Sequence, residues 1–213
     1  GLAVLAIAAR RAIAAAAMPE PPAAGGAFAA LCSRWALRGA LGIALYVGAE
    51  VTIGSTLILY LSQAHTLGLP LDVAGAWVAN LYWGGALVGR FVGSWLLRFV
   101  PAPRLLLLAG LAAAALCLAS LALPGRSGAW CLLAVGLCNS IMFPTIFALT
   151  LERSGAPAAA TSGLLVLAVG PGAALPLIAG GVADTAGLGW AFAVPALAYL
   201  YVAGFAWAAR RPP

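Results

Sequence analysis

Apolar residues run through this chain in long blocks rather than short periods. Six blocks of roughly twenty residues, at 39–61, 73–97, 105–123, 129–151, 162–183 and 190–209, alternate with short polar breaks. A helix of that length rises about 30 Å, the thickness of a bilayer's hydrocarbon core, so the pattern predicts six membrane-spanning helices. The breaks carry turn chemistry: Gly68, Pro70 and Asp72; Pro101 and Pro103; Pro124 and Gly125; Gly155 and Pro157; Thr185, Gly187 and Gly189. A shorter block, 1–17, lacks an initiator methionine and the charged region of a signal peptide. It reads as the tail of an earlier helix in a longer protein. Residues 18–38, opening on Pro19, Glu20, Pro21 and Pro22 and closing with Arg34 and Arg38, read as a linker between two helical halves.

Composition sharpens the class. Hydrophobic residues make up 64% of the chain and charged residues 8%, whereas a soluble domain uses about 25% charged residues to cover its surface. The net charge of +6 comes from 11 arginines and no lysine. These arginines lie at the ends of apolar blocks rather than on one soluble face, which argues for membrane orientation and against nucleic acid. With the linker cytoplasmic, Arg10, Arg11, Arg34, Arg38, Arg98, Arg104, Arg153, Arg210 and Arg211 fall inside and Arg126 outside. His65, Asp72 and Asp184 then occupy outer loops, and the C-terminus is cytoplasmic.

Glu50 stands without another charge between Gly39 and Ser62. A carboxylate at bilayer depth costs about 2.5–3.5 kcal/mol on insertion scales, which marks it as a candidate functional residue. Helical spacing puts Glu50 on a face with Ile43, Tyr46, Val47, Gly54 and Leu57. A carboxylate and a phenol one turn apart can bind a sugar hydroxyl or exchange a proton; a protonated acid bonded to a neighbouring helix is the structural alternative. Asn80, Trp83, Gly84 and Leu87 form the comparable face of the second span. An indole stacks on a pyranose and an amide serves hydroxyls, although aromatic residues also pack and anchor at interfaces. Asn139, Phe143, Ile146 and Thr150 share a face of the fourth span, where Pro144 frees a carbonyl one turn earlier. Asn139 either faces a cavity or bridges helices. Polar residues near the middle of the first and fourth spans fit two inverted sets of three helices.

The stretches Tyr46-Val47-Gly48-Ala49-Glu50, Leu81-Tyr82-Trp83-Gly84-Gly85 continuing to Ser94, and Asn139 through Phe147 resemble the fucose/glucose/galactose proton-symporter family of the major facilitator superfamily. Leu175-Pro176 through Thr185 and Pro195 to Tyr201 resemble that family's last two helices. The resemblance runs from Ala40 onward. It implies an all-α integral membrane protein, the six-helix C-terminal half of the fold (39–211) preceded by the end of helix six (1–17) and a cytoplasmic linker (18–38). It further implies import of a hexose-type sugar, among fucose, glucose, galactose and N-acetylglucosamine, by proton symport and alternating access in a bacterial inner membrane. The N-terminal half would be a partner in the same protein. Two positions depart from the family: Pro171 within Gly170-Pro171-Gly172, and Phe143 where fucose carriers have tyrosine.

The expected substrate or coupling residues are therefore Glu50, Tyr46, Asn80, Trp83, Asn139 and Phe143. The superfamily also places a Gly-Arg motif at its cytoplasmic gate, which implies that Arg90, or failing it Arg98, pairs with Glu152 in the outward-open state. A snorkelling Arg90 that reaches lipid phosphates is the alternative. Neither cofactor nor metal is expected, and the four cysteines lack metal spacing and are expected to form no disulfide. An intramembrane enzyme would need a nucleophile with its base, and the spans show no histidine, paired acids or Gly-x-Ser-x-Gly motif. Transport of another small solute and a non-catalytic six-helix scaffold are the remaining readings.

Overall fold

The computed structural model describes residues 28–123 and 125–210. The expected helix end at 1–17, the first part of the linker, and Arg10, Arg11 and Arg211 lie outside the described residues. The described chain is helical and forms six long rods. These are α1 (Arg34–Ser62), α2 (Leu71–Trp77 running through a π-helical stretch, Val78–Trp83, into Gly84–Leu96), α3 (Ala102–Ala122), α4 (Arg126–Arg153), α5 (Ala158–Ala186) and α6 (Leu188–Ala208).

α1 begins inside the segment expected to be linker. Ser33 caps it by accepting from the Ala36 N–H at 3.2 Å, and the Ser33 hydroxyl also donates to the Ser154 carbonyl at 2.5 Å. One turn on, the Trp35 indole N–H donates to the Leu149 carbonyl at 3.1 Å, and the Arg153 guanidinium lies 5.6 Å from the Trp35 ring centroid. These contacts seat residues 34–38 in the helix against α4.

Among the described residues five helices are long and apolar enough to cross a membrane: α1, α3, α4, α5 and α6. α2 has comparable length but carries Asp72, Asn80, Arg90 and several glycines. Its glycines explain its place in the bundle. Gly85, Gly89 and Gly93 recur every fourth residue on the face that meets α4: a Cβ at Gly85 would touch Leu137, one at Gly89 would come within 2.5 Å of the Leu137 carbonyl, and one at Gly93 would overlap Ile141. From the other side, a Cβ at Gly136 would overlap the Tyr82 carbonyl. The two backbones approach this closely because no side chain intervenes.

Two rods are broken partway. Pro144 has no N–H for the Ser140 carbonyl, and α4 is interrupted between Asn139 and Met142. α5 passes through a 3₁₀ turn at Gly170–Ala173, where a Cβ at Gly172 would come within 2.7 Å of the Ala44 carbonyl and one at Gly48 within 2.5 Å of the Gly172 carbonyl. Pro171 is exposed at this turn, so its missing donor leaves the α1 contact intact. α3 and α6 form the most extensive pairing, crossing at Gly110 against Tyr199 and Ala203.

The core runs through Ile43, Ile53, Leu57, Leu106, Leu132 and Phe192, each fully buried. One end of the bundle gathers Arg34, Arg38, Arg98, Arg104, Arg153 and Arg210, and the opposite end carries His65, Asp72, Arg126 and Asp184.

The α2–α4 crossing sets a paired prediction. Gly136→Ala should lower stability by about 1–3 kcal/mol through overpacking. Gly180→Ala, where a Cβ meets nothing within 4 Å, should be neutral or stabilising by up to about 1 kcal/mol. Thermal unfolding of both variants in one detergent checks the contrast.

Candidate functional site

A polar seam crosses the middle of the bundle where α1, α2, α4 and α6 meet. The Tyr46 hydroxyl donates to the Asn139 carbonyl at 3.0 Å, at the break in α4. The Asn139 amide donates to the Tyr82 hydroxyl at 2.8 Å, and Tyr82 donates to the Glu50 backbone carbonyl at 3.2 Å. Tyr82, Asn139 and Tyr199 are fully buried. Asn139 Oδ1 and the Tyr199 hydroxyl are neighbouring acceptor and donor, and neither meets hydrogen-bond geometry with a described residue.

Beside this seam lies an open face. The Glu50 carboxyl is half-buried, within hydrogen-bonding reach of the Tyr46 hydroxyl one turn earlier and within electrostatic reach of the Arg90 guanidinium. Trp83 is 44% exposed and edge-on to Tyr82, with ring centroids 5.2 Å apart. Its indole covers Gly54, where a Cβ would come within 3.1 Å of the ring, so a glycine one turn beyond Glu50 makes room for it. Half-buried Phe143 sits 6.4 Å from the Tyr46 ring and stacks on Phe147 at 6.0 Å. Carboxylate, guanidinium, phenol and indole thus share one region at mid-bundle. Charged groups there can make strong hydrogen bonds to hydroxyls while the indole offers a flat apolar surface.

The expected residues divide. Glu50, Tyr46, Trp83 and Phe143 belong to this region. Asn139 lies behind it, bridging helices. Asn80 stands apart: exposed, its amide donates to the Ala76 carbonyl of its own helix at 2.8 Å, and it lines a separate groove of about 550 Å³ between α2 and α4 with Leu87, Trp130 and Leu137. The spacing argument fails here because Val78–Trp83 is π-helical. A π turn takes in more residues than an α turn, so positions three apart no longer share a face.

Arg90 and Glu152 do not pair in this structure. Gly89 packs on Leu137 and Ser140 and Gly93 on Ile141, so α2 and α4 run parallel and Arg90 is level with Ser140. Glu152 lies about twelve residues further along, about 18 Å at 1.5 Å per residue, beyond an arginine's reach. Among the described residues no ion pair joins Glu152 to Arg90 or Arg98, and all three are exposed. Arg90 instead lies within electrostatic reach of Glu50.

Sequence reasoning passed over Tyr82 and Tyr199. Tyr82 lies three residues before Gly85 and seven before Gly89, so the small-residue stripe already points it toward α4. Tyr199 carries no comparable signal. Cys117, Cys131 and Cys138 are free thiols, and no group of three potential metal ligands forms among the described residues.

Tyr82→Phe removes one donor and one acceptor and leaves the Asn139 amide without its partner. It should cost about 1–2 kcal/mol. Asn80→Ala should stay within about 0.5 kcal/mol of the parent. Unfolding midpoints of the two variants distinguish the buried seam from the exposed groove.

The chain has clear relatives, although no family model matches it. It is 43% identical over 175 residues to a glucose/galactose transporter of Brucella abortus, a match covering 80% of this chain and 42% of that protein. A putative glucose/galactose transporter of Helicobacter pylori is 38% identical over 173 residues, covering 79% of this chain and 42% of its own. The L-fucose–proton symporter of Escherichia coli is 35% identical over 181 residues, covering 81% and 39%. The crystal structure of the Escherichia coli fucose:proton symporter superposes with a TM-score of 0.80 at 28% identity, over 86% of this chain and 46% of that one. A second structure of that protein, described as a major facilitator superfamily transporter in the outward conformation, matches with the same TM-score at 27% identity. The chain thus spans less than half the length of the curated relatives it matches. With its membrane-length helices, the chain is a multi-pass membrane protein with the fold of one half of a major facilitator superfamily transporter, similar over about 80% of its length to glucose/galactose transporters and an L-fucose–proton symporter.

Proposed function

We propose that the chain is the C-terminal six-helix half of a sugar transporter, and that the open face at Glu50 is its side of the substrate path. The observation that carries this reading is the grouping of Glu50, Tyr46, Arg90 and Trp83 at mid-bundle on α1 and α2, in a chain similar to transporters named for glucose, galactose and fucose. The cargo is a hexose-type sugar whose hydroxyls bond to Glu50 and Arg90 and whose apolar ring face lies on Trp83, with Phe143 closing the wall toward α4. Proton symport places the coupled proton on the Glu50–Tyr46 pair, and cargo and proton together bias the exchange between outward- and inward-facing states.

The complementary surface belongs to the other half of the same protein, the part of the curated relatives that this chain does not span. The arginine-rich end of the bundle faces the cytoplasm of a bacterial inner membrane by the positive-inside rule. Arg98 then lies at that end with Glu152, and the gate pairing belongs to these two.

Uptake of labelled fucose, glucose, galactose and N-acetylglucosamine by the full-length protein in liposomes, with and without an inward proton gradient, tests the reading. One sugar should accumulate only under the gradient. Glu50→Gln should abolish accumulation, and its normal retention would remove Glu50 from coupling. Trp83→Ala should raise KM about tenfold, equivalent to about 1.4 kcal/mol, with kcat less affected. Reversing Arg98 and Glu152 together should restore uptake lost in either single reversal; a double variant no better than the singles overturns the gate pairing.

A further inference from the structure

The buried seam ends on α6, at a phenol that does not face the cargo. Tyr199 is fully buried, and its hydroxyl and Asn139 Oδ1 both lie deep in the bundle without a partner that meets hydrogen-bond geometry among the described residues. The Tyr199 hydroxyl nevertheless stands within hydrogen-bonding reach of the Asn139 amide and of the Tyr82 hydroxyl. We propose that Tyr199 is a positioning residue for the Glu50 face: its hydroxyl donates to Asn139 Oδ1, directly or through one water, and completes a one-way series of donors that runs from α6 through α4 and α2 to α1.

The single proton on each hydroxyl gives the series its direction. Tyr82 gives its proton to the Glu50 carbonyl at 3.2 Å. Toward Asn139 it can therefore only accept, which turns the amide nitrogen to it at 2.8 Å. The amide oxygen then needs a donor from elsewhere. Tyr46 is already committed, since its hydroxyl donates to the Asn139 backbone carbonyl at 3.0 Å. Tyr199 has a proton to give and stands beside the oxygen that lacks one. Reversing the amide would draw the Tyr82 proton to Oδ1 and release the Glu50 carbonyl, so a donor on α6 favours the orientation that keeps α1 tied.

α6 is suited to anchor the series because it is held from behind. Its pairing with α3 is the most extensive in the bundle, and a Cβ at Gly110 of α3 would come within 3.2 Å of the Tyr199 carbonyl. A hydrogen-bonded series away from water is rigid when every member is satisfied, and an orphaned member is costly. The rigidity reaches the open face through Tyr82, which grips the Glu50 carbonyl and is followed directly by Trp83, edge-on to it at 5.2 Å. Tyr199 thus acts on the site through Asn139 and Tyr82 without touching cargo. The functional part of this inference rests on the reading of the Glu50 face as the substrate path; the direction of the donors does not.

Tyr199→Phe, which keeps the ring and removes the hydroxyl, tests the series in the full-length protein. In detergent it should lower the melting temperature of the parent and have no such effect in an Asn139→Leu background, where the oxygen it serves is gone. Equal losses in both backgrounds would come from another partner of the hydroxyl and overturn the series. In liposomes Tyr199→Phe should raise the KM for the transported sugar about fivefold with kcat little changed. A purely structural loss lowers the active fraction and leaves KM alone, so an unchanged KM overturns the positioning role. Where a variant does not fold, an experimental structure of the parent decides: the Tyr199 oxygen should lie within about 3.5 Å of Asn139 Oδ1 or share one water with it, and a Tyr199 hydroxyl bonded to a different group overturns the series. A parent that moves no sugar fails the transport reading, and the unfolding comparison then decides the series by itself.

Discussion

Inside a bilayer a buried hydroxyl or indole donor has no water to turn to, and the bundle is tied by side-chain donors that meet backbone carbonyls of other helices. Pro144 interrupts α4, and the Asn139 carbonyl at that break receives the Tyr46 hydroxyl. The Glu50 carbonyl receives Tyr82, the Leu149 carbonyl receives the Trp35 indole, and the Arg38 carbonyl receives the Tyr201 hydroxyl at 3.1 Å. Each bond ties two helices at a defined depth. Packing alone would let apolar rods slide, because lipid tails are as apolar as the leucines that face them.

These bonds require close backbones, and small residues provide them. Gly136 lies under the Tyr82 carbonyl, and Gly89 lies under Leu137 and Ser140. This approach brings the Tyr82 hydroxyl to both Glu50 and Asn139. The buried seam consequently holds α1, α2 and α4 together as a wall, and Glu50, Arg90 and Trp83 project from its open side. Asn139 and Tyr82 position that wall. In this arrangement Tyr46 joins the buried seam to the open side, one helical turn from Glu50.

Charge is divided along the membrane normal as sharply as polarity is divided across the bundle. Arginines gather at one end, where loops at 97–101 and 154–157 and the end of α6 come together. The opposite end is nearly neutral. Arg90 breaks this division. Its backbone is level with Ser140 and its guanidinium is within electrostatic reach of Glu50, and a charge in a membrane span is costly unless a partner or water offsets it.

The linear pattern by itself determined the membrane class, the helices and their alternation, because apolar length and turn residues are local properties that a bilayer reads directly. It singled out Glu50 for the same reason: a lone acid in an apolar block is visible without any partner. It did not determine where α1 begins, since the Ser33 cap is secured by Ser154, 121 residues away. Nor did it determine the side of α2 that Asn80 occupies, because a π-helical stretch rotated that face. The partner of Arg90 also depended on tertiary structure. The family resemblance offered Glu152 at a helix end, whereas the parallel register of α2 and α4, set by three glycines, puts Arg90 level with Ser140. Helices are written in neighbouring residues; their register and the pairs they bring together depend on how closely distant backbones can approach.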